Sequence, residues 1–302
     1  MAFLIMPIYL VFLSVVAIWS TTPLAIQWST LGSSFNFGVA SRMFIGLGIC
    51  LLLLLIKQQK LNTSSIAISN YIYAGVGVFV TMSLVYYSSQ SIPSGIISVV
   101  FGLTPIITGV FALVLLKEPF FKLHKIVGLL LGIGGLIIIF GHTLTIASEL
   151  ILGLLAVTFA MTFQSFISVK LKQINANISA LETTTGALII SVPLFILSWA
   201  LTEGNIPIIT LKATLSIGYL AVFGSVIGFM SYYYLIRHTS VRVVGIVPLI
   251  TPVFALLLGA TLNYETLTST QLSGIILVLI GLGYYEYGGQ TTRNGLNGKN
   301  NG

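Results

Sequence analysis

The sequence predicts an all-α polytopic membrane protein with ten transmembrane helices in a five-plus-five inverted-topology repeat. Hydrophobic residues make up 56% of the 302 and charged residues only 6%, against roughly 25% charged in soluble domains, too few to cover a water-facing surface. Apolar runs long enough to cross about 30 Å of hydrocarbon recur along the whole chain. A single offset relates landmarks in the two halves.

Each run reads as a helix because backbone N–H and C=O groups inside a bilayer must pair within their own segment. Leu4 to Ile26 carries a polar cluster, Trp19-Ser20-Thr21-Thr22-Pro23, past its middle. Phe37 to Ile56 holds Arg42 and the single cysteine, Cys50. Tyr71 to Ser91 includes Tyr86-Tyr87 and is parted from Ser94 to Leu116 by little more than Ile92-Pro93. Leu123 to Phe140 is short and glycine-rich. Leu150 to Val169 contains Thr162 and Gln164, Ala180 to Leu201 begins beside Glu182, and Ala213 to Ile236 ends near Tyr232-Tyr233-Tyr234. Val243 to Leu262 bears Pro248 and Pro252, and Leu272 to Tyr287 completes the set. Residues 1–147 form the first five-helix repeat and 148–287 the second. Residues 288–302, GGQTTRNGLNGKNNG, form a disordered basic tail whose glycine and asparagine content offers nothing to bury.

Ten spans and a cytoplasmic N-terminus put eleven of the thirteen basic residues in inner loops: Lys57, Lys60, Lys117, Lys122, Lys125, Lys170, Lys172, Arg237, Arg242, Arg293 and Lys299. Only Lys212 falls outside, and Arg42 lies within the second span. Loops that retain Lys and Arg stay cytoplasmic, so both termini are expected inside, in the cell inner (plasma) membrane. The net charge of +7 is then a topology signal. It is not a nucleic-acid footprint, because no soluble basic face carries it.

The offset is 147 residues, relating Tyr86-Tyr87 to Tyr233-Tyr234, Thr104-Pro105 to Thr251-Pro252, Glu118 to Glu265 and Gly134 to Gly281. An odd number of spans per copy makes the second enter from the opposite side. The charges agree: Glu118 sits in LLKEPFFKLHK, whereas its mate Glu265 sits in LNYETLTSTQ, without Lys or Arg.

The segments Leu103 to Pro119 (LTPIITGVFALVLLKEP) and Ile250 to Thr268 (ITPVFALLLGATLNYETLT) resemble the two signatures of the drug/metabolite transporter superfamily, in its EamA-type exporter branch. The resemblance covers about Ile8 to Tyr287, with Tyr264-Glu265 where Gly-Glu is more usual. It implies export of small metabolites, amino acids or related amphiphiles foremost, with amines, sugars, nucleotides and drugs as alternatives. It also implies that the polar stretch of the first helix faces a central cavity, and that Arg42 takes the place of an arginine common in the second helix.

Inverted repeats set a substrate path at the midplane, bordered by interrupted helices. Pro23, Pro105, Pro248 and Pro252 are the candidate kinks. Trp19, Ser20, Thr21, Arg42, Tyr86, Tyr87, Thr104, Gln164, Tyr233 and Thr251 are the candidate substrate contacts. A glutamine inside a membrane has four hydrogen-bonding positions to satisfy, so Gln164 faces a cavity or another helix. Arg42 either meets a substrate carboxylate or snorkels to headgroups. The tyrosines line an amphipathic pocket or an interfacial belt. Glu182, near the inner end of the seventh span, either titrates in proton coupling or is hydrated at the interface.

The chain has no aspartate. That removes a Ser-His-Asp triad, an aspartyl protease dyad and a Walker-B magnesium site. His124, His142 and His238 share no metal-ligand spacing, so neither a metal nor a cofactor is expected, nor an enzyme. Expected partners are a small-molecule substrate and the bilayer, with no nucleic acid. The GxxxG of Gly128 and Gly132 reads as close helix packing, leaving a monomer or a homodimer. A non-transporting scaffold and a channel are the remaining alternatives.

Overall fold

Helices start where a side-chain oxygen can accept from an otherwise orphaned backbone N–H. Ser34 accepts from Phe37 N at the head of α2 (Phe35–Ile56), and Ser64 from Ala67 N at the head of α3 (Ser65–Ser88). Ser179 and Glu182 form a reciprocal capping box on α8 (Ala180–Thr202), and Thr210 caps α9 (Leu211–Tyr219). The computed structural model describes residues 7–117, 123–141, 148–239, 241–266 and 268–297. The remaining helices are α1 (Ile8–Ser29), α4 (Ser94–Gly102), α5 (Thr104–Leu116), α6 (Leu123–Gly141), α7 (Ser148–Ile174), α10 (Gly228–His238), α11 (Val241–Leu262) and α12 (Ser269–Asn297).

These helices make ten crossings, since α4 and α5 share the fourth span and α9 and α10 share the eighth, joined there by a π-helical stretch, Leu220–Ile227. Seven crossings are long and apolar throughout, and the fifth, ninth and tenth contain shorter apolar helices. Among the described residues every predicted span contains a helix. The fourth departs from the expected single rod at Leu103: Pro105 has no N–H for the Phe101 carbonyl, and the Thr104 hydroxyl donates to it instead at 2.5 Å. The last helix also departs from expectation. α12 continues to Asn297, so residues 288–297, predicted as unstructured tail, have helical backbone, because extending a formed helix avoids the cost of nucleation. Residues 298–302, Glu118 and His142 lie outside those described.

The contacts obey a pseudo-two-fold exchange of the halves. α3 packs on α7 and α8, and reciprocally the eighth span packs on α1 and α2. α5 meets α7 as α11 meets α1, while α2 meets α8, α4 meets α11 and α6 meets α12 across the axis. At the α6–α12 seam a Cβ on Gly128 would lie 2.6 Å from the Gly281 carbonyl, and one on Gly135 2.6 Å from that of Gly274. The glycine face of α6 is therefore spent on α12 of the same chain, in the close backbone approach typical of membrane helices. Leu55, Leu130, Leu155 and Leu257 point outward, more than half exposed, while Ser165, Ser191, Thr81 and Arg42 are buried. That polarity is the reverse of a water-soluble domain.

The two ends are chemically distinct. Lys57, Lys60, Lys117, Lys170, Lys172 and Arg237 lie at one, the basic end, with the first turns of α3, α6 and α8. Glu149, Glu203, Lys212 and Glu265 lie at the other, the far end.

Candidate functional site

Two adjoining cavities run from mid-depth to the basic end. The deeper, with a water-accessible volume of about 20 Å³, lies between α3 (Ala74, Gly77, Thr81, Met82), α7 (Gln164, Ile167, Ser168) and α10 (Phe229, Tyr232, Tyr233). The outer, about 40 Å³ on the same measure, lies among Asn70, Lys172, Asn175, Thr183 and Arg237. Leu171 and Tyr233 belong to both walls and mark the constriction between them. Both cavities lie between α3 of the first repeat and α7, α8 and α10 of the second.

Hydrogen bonds fix the polar wall of the deeper cavity. Ser168 Oγ donates to the Gln164 carbonyl at 2.7 Å, which leaves it to accept from the Tyr232 hydroxyl 2.5 Å away. Trp19 of α1 stacks obliquely on Tyr232 with ring centroids 5.1 Å apart. Opposite, Thr81 Oγ1 is fully buried and has no protein partner. An unpaired hydroxyl in a low-dielectric interior is costly, and a ligand or water in the cavity would satisfy it.

Arg42 does not reach the headgroups. It is 1% exposed, its Nε donates to Ser225 Oγ at 3.0 Å, its guanidinium stands 5.8 Å from the centre of the Tyr86 ring, and Nη1 has no partner. Among the described residues no carboxylate pairs with it. Gly224, in the π-helical stretch, admits it, since a Cβ there would lie 3.0 Å from Nη2. Tyr86 is one helical turn beyond the cavity-lining Met82 on α3, and the cation stands beside Tyr86.

The other predicted residues distribute as follows. Gln164 and Tyr233 line the deeper cavity, and Trp19 packs on its Tyr232. The Ser20 and Thr22 hydroxyls bond back to the carbonyls of Val16 and Ile18, and Thr21 joins the Tyr219 hydroxyl at 2.5 Å, so that cluster is largely satisfied on its own helix. Tyr87 is 39% exposed and packs edge-on to Phe35, away from both cavities. Thr104 closes the break after α4, and Thr251 is buried in α11. A Cβ on Gly102 would lie within 3.5 Å of both Pro248 and Pro252, so the interruption after α4, where Pro105 stands, and the α11 prolines face one another across the repeat axis. Pro23 is buried inside α1. Neither cavity wall includes a proline. Glu182 serves in the capping box and also accepts from Asn62 N at 3.3 Å. The sequence reading missed Thr81, Met82, Ser168 and Phe229. Of these only Ser168 left a signal, as a polar residue one turn from Gln164 on the same face.

The sequence profile of the EamA-like transporter family matches residues 6–141 and 151–285, one copy on each five-helix half. This chain belongs to that family. Among its EamA-like relatives, the uncharacterized inner membrane transporter YedA of Escherichia coli K12 is 30% identical over 210 residues, 66% of this chain and 65% of that protein. The alignment therefore spans just under two thirds of that relative's length. The uncharacterized transporter YoaV of Bacillus subtilis is 24% identical over 276 residues, 89% of this chain and 93% of its own. Protein PecM of Dickeya dadantii is 26% identical over 209 residues. A solved crystal structure superposes with a TM-score of 0.68 at 18% identity, covering 91% of this chain and 96% of that one, a likeness of fold.

Proposed function

We propose that this EamA-like protein exports small amphiphilic metabolites, amino acids foremost, by alternating access between its two repeats. The observation that carries the reading is the path itself, which begins among Lys172 and Arg237 at the basic end and reaches an aromatic and hydroxyl-lined chamber at mid-depth. Membership of a transporter family and the relatives' names support the activity; the residues support the substrate class. No carboxylate lines either cavity, whereas an unpaired Arg42 lies just beyond the inner one. A buried charge without a partner is costly, and a substrate carboxylate would neutralise it. That favours an acid or zwitterion over an amine. The faces of Tyr232, Tyr233 and Phe229 suit an apolar side chain, with Gln164 and Thr81 offering hydrogen bonds.

In this reading the basic end is cytoplasmic, as expected of loops rich in Lys and Arg. The substrate enters from that side, Tyr86 yields to admit its carboxylate to Arg42, and rocking of one repeat on the other opens the far end. The test is counterflow in proteoliposomes loaded with an unlabelled amino-acid mixture and probed with single labelled amino acids. Saturable uptake of one label, weakened in Gln164→Ala and Arg42→Gln, is expected. Uptake of sugars, nucleotides or amines, but of no amino acid, would overturn the substrate assignment.

A further inference from the structure

We infer that Glu265, Asn263 and Gln27 form the latch of a far-end gate, which must part before a bound solute can leave on that side. Glu265 follows a turn that few side chains adopt, with Tyr264 at φ 53° and, 147 residues earlier, Lys117 at φ 55° after α5. A bulky residue held in the left-handed region is an outlier that the surrounding structure must enforce. Here the turn swings the carboxylate out of the second repeat onto the head of α4 in the first. It accepts from Ser94 N at 3.2 Å, Ser94 Oγ at 2.6 Å and Gly95 N at 3.3 Å. Gly259 makes room, because a Cβ there would lie 2.5 Å from Glu265 Oε2.

The contact reaches beyond a helix cap. Asn263 Nδ2 donates to Glu265 Oε1 at 3.2 Å and to Gln27 Oε1 at 3.1 Å, and its Oδ1 accepts from Trp28 Nε1 at 3.0 Å. Gln27 Nε2 donates to the Ile92 carbonyl at 2.9 Å, and Lys212 of α9 stands 4.0 Å from the Trp28 ring centre. One network thus joins the ends of α1 and α11, the heads of α4 and α9, and the loop before α4, across both repeats. Capping α4 needs only Glu265; the links through Asn263 to Gln27 and Trp28 have no capping task. They have the form of a clasp, made of hydrogen bonds strong enough to hold and few enough to break together.

The inference rests on the alternating-access reading, but its test needs no transported solute, so an incorrect substrate leaves it intact. The full chain in nanodiscs carries Cys50→Ala and Ser98→Cys, the latter one turn into α4 behind the latch, and is labelled with a polar maleimide. Gln27→Ala, which spares the α4 cap, and Glu265→Gln are each expected to raise the labelling rate about tenfold by shifting the population toward a far-end-open state. Wild-type labelling rates in both variants would overturn the gate, even if Glu265→Gln melted at a lower temperature, since that is the outcome of a cap alone. If Glu265→Gln does not fold, Gln27→Ala decides the matter by the same readout.

Discussion

The far end and the basic end of this bundle are held in opposite ways. At the far end, side chains of one repeat bond to the other: Glu265 to Ser94, Asn263 to Gln27, Asn36 to Thr202 at 3.1 Å and Thr21 to Tyr219. At the basic end the strongest polar ties stay within the second repeat. Lys172 donates to the Ile236 and Thr239 carbonyls at 2.8 and 3.0 Å, and Arg237 reaches Ile178 and Asn177. Among the described residues the ties to the first repeat there are single bonds: the Asn62 N–H donates to Glu182 at 3.3 Å and Gln173 Nε2 donates to the Leu115 carbonyl at 3.3 Å, with Lys170 6.0 Å from the Tyr73 ring centre and Lys125 5.2 Å from that of Tyr285. Bonds that stay within one repeat do not hinder its movement against the other. Both cavities lie on the basic side.

Filling the contact that does cross the basic half is expected to have the largest effect. A Cβ on Gly186 would fall 2.2 Å from the Tyr71 ring, and one on Gly75 2.5 Å from Ile190. Gly186→Leu should cost at least the 1–3 kcal/mol or so typical of overpacking, and should appear as loss of a monodisperse peak and of thermal stability in detergent. Next comes the interior cation. Arg42→Gln should reduce apparent affinity for a carboxylate-bearing solute by about tenfold or more, yet leave melting unchanged or raised, because an unpaired buried charge is removed. Equal losses of stability and affinity would instead make Arg42 a packing residue. Gln164→Ala should raise the half-saturating concentration several-fold without changing the melting temperature. Removing the capping box with Ser179→Ala should cost about 1 kcal/mol and leave exchange intact. Smallest is Tyr87→Phe at an exposed position, expected within about 0.5 kcal/mol of the parent by thermal unfolding.

Much of this architecture was legible before any coordinates. The spans follow from apolar length, and the 147-residue offset pairs the Thr-Pro motifs; two of the positive-φ turns, at Lys117 and Tyr264, keep the same offset. That Gln164 and Tyr233 face a cavity was legible because polar or amphipathic groups in hydrocarbon require a reason. Thr81 and Met82 were not, since a threonine can satisfy itself on its own helix and a methionine is ordinary in an apolar run. The π-helical turn opposite Arg42 depends on packing by Gly46 and Gly224 across helices far apart in sequence, which no local pattern records. Nor does the sequence indicate that the polar cluster around Ser20 bonds mainly to its own backbone, or that Glu265 reaches Ser94 across 171 residues.

The central claim is that solute passes between α3 and the α7–α10 wall from the basic side. It is tested most directly by placing a cysteine at Thr81 in a Cys50→Ala chain and labelling oriented proteoliposomes with a membrane-impermeant maleimide from each side. The account predicts reaction from the basic side, protection by the exchanged amino acid and loss of counterflow once modified. Reaction only from the far side, or modification that leaves exchange at its starting rate, would contradict it.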